Sequence, residues 1–188
     1  MRITGGTFGG RLLKAPKAGP TRPTQDRVRE ALFSMLMEAV PGARFLDLYA
    51  GTGAVGLEAL SRGAADVLWV EGDRATARLA AENVAAVAGA EMARRVVLSD
   101  VARWLRAAPA APPYDIVFAD PPYELARDGG LADIAATLAA RRLVAPGGLF
   151  IAEVPEDATV QPGDGWTVIR DRAYGKSRVV IRQREIPR

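Results

Sequence analysis

From Phe45 onward, apolar segments with the length of strands alternate with segments that have helical periodicity. Such alternation is typical of a parallel sheet whose strands are connected by helices. Two further strand candidates, 166–172 and 178–184, are separated by too few residues for a parallel crossover. The sequence therefore predicts an α/β fold with a mostly parallel seven-stranded sheet that is closed by an antiparallel C-terminal hairpin. The other strands are expected near 45–49, 67–71, 95–99, 115–120 and 148–154, and helices near 54–62, 74–88, 101–107 and 130–142.

The segment before this alternation has a different character. Arg2-Ile3-Thr4 and Arg11-Leu12-Leu13 flank a glycine-rich stretch, which predicts a small β-hairpin. A helix is expected to begin at Pro23 and Thr24 and to end before Pro41. We therefore expect residues 1–22 to form a basic N-terminal hairpin extension and residues 23–188 to form the main domain.

The first predicted strand runs into a glycine loop. Gly51-Thr52-Gly53-Ala54-Val55-Gly56 matches the pattern G-x-G-x-x-G, in which glycines allow the backbone to approach a ligand closely. Glu71 ends the next strand and lies 20 residues after Gly51, which is the spacing expected for an acid that binds ribose hydroxyls. Taken alone, this loop predicts a nicotinamide dinucleotide site.

Asp47 favours a different ligand. It lies four residues before Gly51, where its negative charge would repel a pyrophosphate but would suit an ammonium or a sulfonium group. S-adenosylmethionine carries both groups and also a ribose for Glu71. Alternatively, Asp47 is a turn or cap residue. Asp100 ends the third strand and is suited to accept from the adenine amine; an N-cap role for the helix after it is equally compatible.

Asp120-Pro121-Pro122-Tyr123 follows the apolar strand 115–119. Asp120 is therefore expected at the carboxyl end of a strand, where open α/β sheets bind ligands. The prolines lack N–H groups and restrict the residues before them to extended conformations. The stiff turn presents a carboxylate, carbonyl oxygens and the flat ring of Tyr123, which suits a planar group that carries an amine.

Composition excludes several kinds of chemistry. The chain has neither cysteine nor histidine, which excludes thiol nucleophiles, imidazole bases and zinc sites built on these residues, and we predict no metal site. Proton transfer is left to carboxylates, tyrosine, backbone and water, which methylation of an amine tolerates. Apolar runs are shorter than the ~18 residues of a membrane helix, and no signal-peptide pattern is present. We expect a cytoplasmic protein without membrane partners.

Charge is distributed unevenly along the chain. Residues 1–30 and 168–188 each contain seven Lys or Arg and two Asp or Glu, a net charge of +5, whereas residues 31–167 have a net charge of −7. Basic ends around an acidic middle suggest that a polyanion is held beside a cofactor site. The alternative is that these charges only solubilise the surface.

The chain also resembles a known family. It is similar to the bacterial methyltransferases that modify N2 of one guanine in small-subunit ribosomal RNA, although that family often has Phe in place of Tyr123. The matching segments extend over nearly the whole chain, in order: Arg2-Ile3-Thr4-Gly5-Gly6, Arg22-Pro23-Thr24-Gln25-Asp26-Arg27-Val28-Arg29-Glu30-Ala31-Leu32-Phe33, Leu46-Asp47-Leu48-Tyr49-Ala50-Gly51-Thr52-Gly53, Gly56-Leu57-Glu58-Ala59-Leu60-Ser61-Arg62-Gly63-Ala64, Asp120-Pro121-Pro122-Tyr123 and Tyr174-Gly175-Lys176-Ser177-Arg178-Val179. The resemblance implies a Rossmann-like class I S-adenosylmethionine-dependent methyltransferase that acts on ribosomal RNA, in an assembled or partly assembled subunit.

With this resemblance, roles can be assigned to the catalytic and cofactor candidates. Asp120 and the Pro121 carbonyl would accept hydrogen bonds from the guanine amine, while Tyr123 stacks on the base. Arg22 or Thr24 would reach the methionine carboxylate of the cofactor; alternatively, Arg22 binds RNA phosphate and Thr24 only caps its helix. The remaining cofactor candidates are Asp47 for the ammonium, Gly51 and Gly53 for close approach, Glu71 for the ribose and Asp100 for the adenine.

The RNA is expected to be bound by the two basic ends. We expect the protein to act as a monomer on small-subunit ribosomal RNA, with or without bound ribosomal proteins. The RNA-binding candidates are Arg2, Arg11, Lys14, Lys17, Lys176 and Arg178.

Three rival functions remain. A DNA adenine-N6 or protein-glutamine methyltransferase would use the same Asp-Pro-Pro-Tyr chemistry, but no segment resembles a target-recognition domain for DNA. An NAD-dependent oxidoreductase is opposed by Asp47 and by the terminal hairpin. A non-catalytic RNA-binding module would leave the cofactor acids without a use.

Overall fold

The computed structural model describes residues 1–16, 23–161 and 163–186, and it gives no side-chain description for residues 23–25. The chain divides into two compact units, Met1–Asp100 and Val101–Arg188. The first unit contains α1 (Pro23–Met35), β1 (Arg44–Leu48), α2 (Ala54–Ser61), β2 (Asp66–Glu71), α3 (Arg74–Ala88), α4 (Ala90–Ala93) and β3 (Val96–Leu98). The second contains α5 (Val101–Ala107), β4 (Tyr114–Ala119), α6 (Tyr123–Arg127), α7 (Gly130–Ala140), β5 (Val144–Pro155), β6 (Trp166–Tyr174) and β7 (Ser177–Arg184).

The strands of the first unit are parallel, in the order β3-β2-β1. Phe45, Leu46 and Leu48 of β1 are buried, because a parallel strand packs apolar side chains on both of its faces. The Phe45 ring stacks on Phe33 of α1, with 6.3 Å between the ring centroids. In the register of the strands, Asp47 lies opposite Trp69, and Glu71 lies opposite Leu98. Asp47 is the next-to-last residue of β1 and Glu71 is the last residue of β2, so both acids lie at the carboxyl ends of their strands.

The second unit combines parallel and antiparallel pairing, in the order β4-β5-β7-β6. Strands β4 and β5 are parallel, whereas β7 is antiparallel to both β5 and β6. The hairpin between β6 and β7 turns at Gly175, whose φ of 62° favours glycine. Phe150 and Trp166 contact each other in the core, with 5.8 Å between their ring centroids.

The N-terminal residues form the predicted small hairpin. Arg2 and Leu12 form an antiparallel bridge, and the Ile3 N–H donates to the Arg11 carbonyl at 3.0 Å. The hairpin is fixed to α2 by Glu58, a fully buried carboxylate that accepts from the N–H groups of Thr4 and Gly5. The division into an extension of residues 1–22 and a domain of residues 23–188 stays a prediction.

The predicted fold class is confirmed: the protein has an α/β fold with a mostly parallel seven-stranded sheet, an antiparallel C-terminal hairpin and a small N-terminal hairpin. Helices α4 and α6 were not predicted. Among the predicted strands, β5 differs in its start, since it begins at Val144 instead of near residue 148. Its pairing with β4 is irregular there, since Tyr114 pairs with Val144 but Ile116 pairs with Leu149. This irregularity places Pro146 and two glycines inside a strand. No helix in the described part of the chain is long and apolar enough to cross a membrane.

Candidate active site

The glycine loop after β1 has the backbone that only glycine adopts easily. Gly51 and Gly53 have φ values of 55° and 78°. A Cβ added at Gly51 would find its nearest neighbour, the Tyr49 carbonyl oxygen, 3.9 Å away. Protein atoms therefore leave space beside Gly51, which is what close approach of a ligand to the backbone requires.

Gly56, the third glycine of the loop, allows α2 to pack closely against β2. A Cβ at Gly56 would lie only 2.2 Å from Nε1 of Trp69, so a side chain there would force α2 away from β2. The same Nε1 donates a hydrogen bond to the Gly53 carbonyl at 3.2 Å. Strand β2 thus positions both the loop and the first turn of α2.

Glu71 joins the end of β2 to the glycine loop. Its Oε2 accepts from the Gly51 N–H at 2.9 Å, and its Oε1 accepts from the Asp73 N–H, also at 2.9 Å. The side chain is half-buried. Two carboxylate oxygens have about four acceptor positions, so Glu71 retains the capacity to accept from ribose hydroxyls while it holds the loop.

Asp47 lies beneath the loop. It is only 1% exposed, and its Oδ2 accepts from the Gly56 N–H at 2.9 Å. This N–H belongs to the first turn of α2, where backbone donors have no partner within the helix. Asp47 therefore positions the loop, and an effect on the cofactor ammonium through loop amides stays a prediction.

Asp100 lies two residues after the end of β3 and is exposed. Its charge contributes to the raised pKa of Tyr49, although burial of the phenol is the larger cause. Tyr49 is also strained, because it has a φ of 58° without being glycine. Sequence reasoning missed Tyr49, since neither its backbone conformation nor its proximity to Asp100 can be read from the local pattern.

The tetrapeptide after β4 has the predicted arrangement. Asp120 directly follows the strand, Pro121 is buried, and Pro122 is the residue before α6. Tyr123 is the first residue of α6 and is 45% exposed. The short helix was not predicted, but it explains how an exposed ring is held: the ring is attached to a helix that the two prolines join rigidly to β4.

Glu153 lies beside Asp120 and was missed by the sequence analysis. The Asp120 side chain has an exposed surface, yet enough protein surrounds its carboxyl that desolvation raises its pKa to about 7, and the charge of Glu153 adds to this rise. Burial also raises the pKa of Glu153. The available signal was an acid within the apolar fifth strand, at the end where other strands also carry acids.

The remaining candidates are placed as follows. Lys17 and Arg22 lie outside the described residues, as does the side chain of Thr24. Arg2 and Lys176 are exposed. The other three basic candidates have partners: Arg11 donates to the Val87 carbonyl, Lys14 pairs with Glu82, and Arg178 pairs with Asp171. Within residues 1–16, 23–161 and 163–186, no group of three or more acids could hold a metal ion.

The fold, the glycine loop with its acids, and the Asp-Pro-Pro-Tyr turn are typical of one class of protein. This class is the S-adenosylmethionine-dependent methyltransferases with a Rossmann-like sheet. Within that class, the chain belongs to the family described as Conserved hypothetical protein 95, whose model matches residues 1–183. This confirms the family that the resemblance indicated.

Known relatives resemble the chain over almost its whole length. It is 37% identical to ribosomal RNA small subunit methyltransferase D of Escherichia coli, covering 98% of this chain and 90% of that protein. It is 31% identical to the protein of the same name from Haemophilus influenzae, covering 93% and 89%. The solved structure of the Escherichia coli protein yhhF, 36% identical, superposes with a TM-score of 0.83 and covers 100% of this chain and 99% of that one.

Proposed function

We propose that this protein transfers a methyl group from S-adenosylmethionine to the exocyclic N2 of a guanine in small-subunit ribosomal RNA, in an assembled or partly assembled subunit. The observation that carries this proposal is the Asp-Pro-Pro-Tyr turn after β4, where an acid with a raised pKa precedes an exposed aromatic ring. The names of the relatives from Escherichia coli and Haemophilus influenzae support the RNA substrate. We further propose that the protein acts as a monomer in the cytoplasm.

The residues of the first unit fit the cofactor. S-adenosylmethionine supplies, when bound, an electrophilic methyl group on a sulfonium centre. Glu71 has acceptor capacity for the ribose hydroxyls beyond its two backbone hydrogen bonds, and exposed Asp100 is the proposed acceptor for the adenine amine. The open space beside Gly51 admits a ligand against the backbone. Asp47 fixes the loop amides that would face the methionine part. Arg22 or Thr24 remain the proposed contacts for its carboxylate.

The residues of the second unit fit a guanine amine. That amine is a poor nucleophile, because its lone pair is delocalised into the ring. If the Asp120 carboxylate and the Pro121 carbonyl accept its two N–H bonds, they fix its direction of attack and stabilise the positive charge that develops on nitrogen. Tyr123, exposed on α6, is free to stack on a base withdrawn from its neighbours, a contact worth roughly 1–3 kcal/mol.

The RNA backbone is proposed to contact basic residues of both ends. Exposed Arg2 and Lys176 are the simplest candidates. Arg11 and Lys14 would first have to leave their contacts with α3, and Arg178 its pair with Asp171. The salt bridge between Lys14 and Glu82 is exposed, and exposed salt bridges are worth only about 0–1 kcal/mol, so a phosphate group can compete for the Lys14 side chain. Lys17 completes the proposed set.

The experiment that tests the function is transfer of tritiated methyl groups from S-adenosylmethionine to small ribosomal subunits, naked ribosomal RNA, duplex DNA and a glutamine peptide. We expect product only on ribosomal RNA, at N2 of guanine by nucleoside analysis. Asp120→Ala should reduce turnover by about 10²–10³-fold and leave cofactor affinity unchanged in calorimetry. Asp128→Ala, at an exposed position after α6, is the matched control.

Other outcomes of this assay would support the rivals. Preferred methylation of duplex DNA or of the peptide would replace the RNA substrate with the corresponding amino-group substrate. Thermal stabilisation by NAD, without stabilisation by S-adenosylmethionine, would support an oxidoreductase. An Asp120→Ala variant with full turnover would remove Asp120 from the reaction.

A further inference from the structure

Strand pairing places two carboxyl groups side by side in the second unit. In the parallel ladder of β4 and β5, Ala119 pairs with Ala152. The next residues along the two strands are Asp120 and Glu153. Asp120 lies one residue beyond the last paired position of β4, so the ladder brings it next to Glu153. The charge of Glu153 acts on the Asp120 carboxyl, which shows that the two groups are neighbours.

The C-terminal hairpin completes the arrangement. Pro155 of β5 pairs with Ser177 of β7, and Glu153 pairs with Val179. The Ser177 hydroxyl donates a hydrogen bond to the Glu153 carboxylate, which favours its charged form. Ser177 belongs to the segment Tyr174-Gly175-Lys176-Ser177, to which the proposed function gives no chemical role beyond RNA binding by Lys176.

Charged groups on the neighbouring elements are engaged elsewhere or exposed. On α6, Arg127 binds Asp157, and Glu124 is exposed. On β7, Arg178 pairs with Asp171 and donates to the Glu156 carbonyl. Lys176, in the turn before β7, is exposed. The charge that raises the pKa of Asp120 is that of Glu153, added to the larger effect of desolvation.

We propose that Glu153, held between β4 and β7 and oriented by Ser177, is a positioning residue that assists the adjacent Asp120 carboxylate in taking the proton released from the methylated amine. In this step the nitrogen–carbon bond forms as the carbon–sulfur bond breaks and leaves its electron pair on sulfur. The nitrogen then loses one proton, which bonds to an Asp120 carboxylate oxygen and passes to water. A base is most effective when its pKa lies near the working pH, and two adjacent carboxyls produce that condition without histidine.

The proposal rests on the proposed function and is tested by the pH profile of methyl transfer in single turnovers, with cofactor and RNA saturating. Glu153→Gln removes the neighbouring charge but keeps the shape. We expect the acidic limb of its profile to move to lower pH by about one unit, with cofactor and RNA affinities unchanged. Glu156→Gln, an exposed acid just after β5, should match the wild-type profile. A Glu153→Gln profile that overlays the wild type would overturn the proposal.

A second measurement needs neither RNA nor turnover, and it therefore separates this proposal from the proposed function. Carbon-13 carboxyl resonances of the full-length protein are followed during a pH titration, with Asp120→Asn used for assignment. We expect Asp120 and Glu153 each to titrate in two steps, as coupled acids do. In Asp120→Asn, we expect the titration of the Glu153 resonance to have its midpoint at a lower pH. Independent single-step titrations at ordinary carboxyl pH would overturn the proposal even if Glu153→Gln did not fold.

Discussion

In the first unit, the acids at the ends of β1 and β2 accept hydrogen bonds from backbone N–H groups, whereas in the second unit the acid after β4 lies beside another acid. Asp47 binds the Gly56 N–H, and Glu71 binds those of Gly51 and Asp73. Asp120, in contrast, has a pKa raised by desolvation and by Glu153. Similar positions at strand ends thus receive opposite electrostatic environments.

The two environments suit two different functions of a carboxyl group. Backbone donors stabilise a charged carboxylate and fix it in place, which suits a loop that must keep its shape while a cofactor binds and leaves. Desolvation and a like charge destabilise the charged form, which suits a group that exchanges a proton. If the comparison holds, removal of an acid should lower stability in the first unit and raise it in the second.

The largest effect is expected from Asp47→Ala. The substitution leaves the Gly56 N–H without its carboxylate partner at a position where α2 offers none. We expect the free energy of unfolding, measured with urea, to fall by about 1–3 kcal/mol. Asp47→Asn keeps an acceptor oxygen and should lose less, while Glu38→Ala at an exposed site should lose nothing. Full stability of Asp47→Ala would show that the loop does not depend on this acid.

Asp120→Asn is expected to raise the free energy of unfolding, whereas Asp47→Ala lowers it. Because folding raises the pKa of Asp120 from 3.8 to about 7, the unfolded chain releases this proton first as the pH rises. The stability of the wild type therefore decreases as the pH rises from the lower to the higher of these pKa values, and the Asn variant avoids this loss. Since part of the side chain contacts water, we expect a gain of only about 1 kcal/mol at about pH 8, or roughly 2–4 °C in Tm.

Calorimetric scans over a pH series check this sign. The gain of Asp120→Asn should shrink toward zero as the pH approaches about 4, where the carboxyl becomes protonated in both states. Asp128→Asn, at an exposed position after α6, should follow the wild-type curve. A gain that is independent of pH, or a loss at alkaline pH, would contradict the assigned environment of Asp120.

Sequence alone was sufficient for the parts of the site that lie within one local pattern. An acid at the end of an apolar strand is visible within a few residues, and the positions of Glu71 at the end of β2 and of Asp120 after β4 were predicted in this way. Strand positions were predicted for the same reason, since alternation of strands and helices is a local property.

The missed features depend on register between distant segments. Glu153 lies beside Asp120 because Ala119 pairs with Ala152, and Ser177 reaches Glu153 because β7 pairs with β5 in one particular alignment. A shift of one residue would turn these side chains to the other face of the sheet. The irregular pairing at the start of β5 likewise needs two strands to be seen together. Local periodicity contains no information on such alignments.

The smallest effect concerns the basic ends, which also differ between the units. Lys14 of the first unit pairs with Glu82 at 2.9 Å, whereas Lys176 of the second is exposed in the hairpin turn. If both contact RNA phosphates, Lys176→Gln should flatten the dependence of log affinity on log salt by about 0.7 for its lost contact. Lys14→Gln should change it less, because Glu82 already neutralises that cation. Filter binding to a small-subunit ribosomal RNA fragment across a salt series measures both slopes, with Arg106→Gln at an exposed position of α5 as control. Equal slopes for Lys176→Gln and the wild type would mean that the hairpin turn does not hold the RNA.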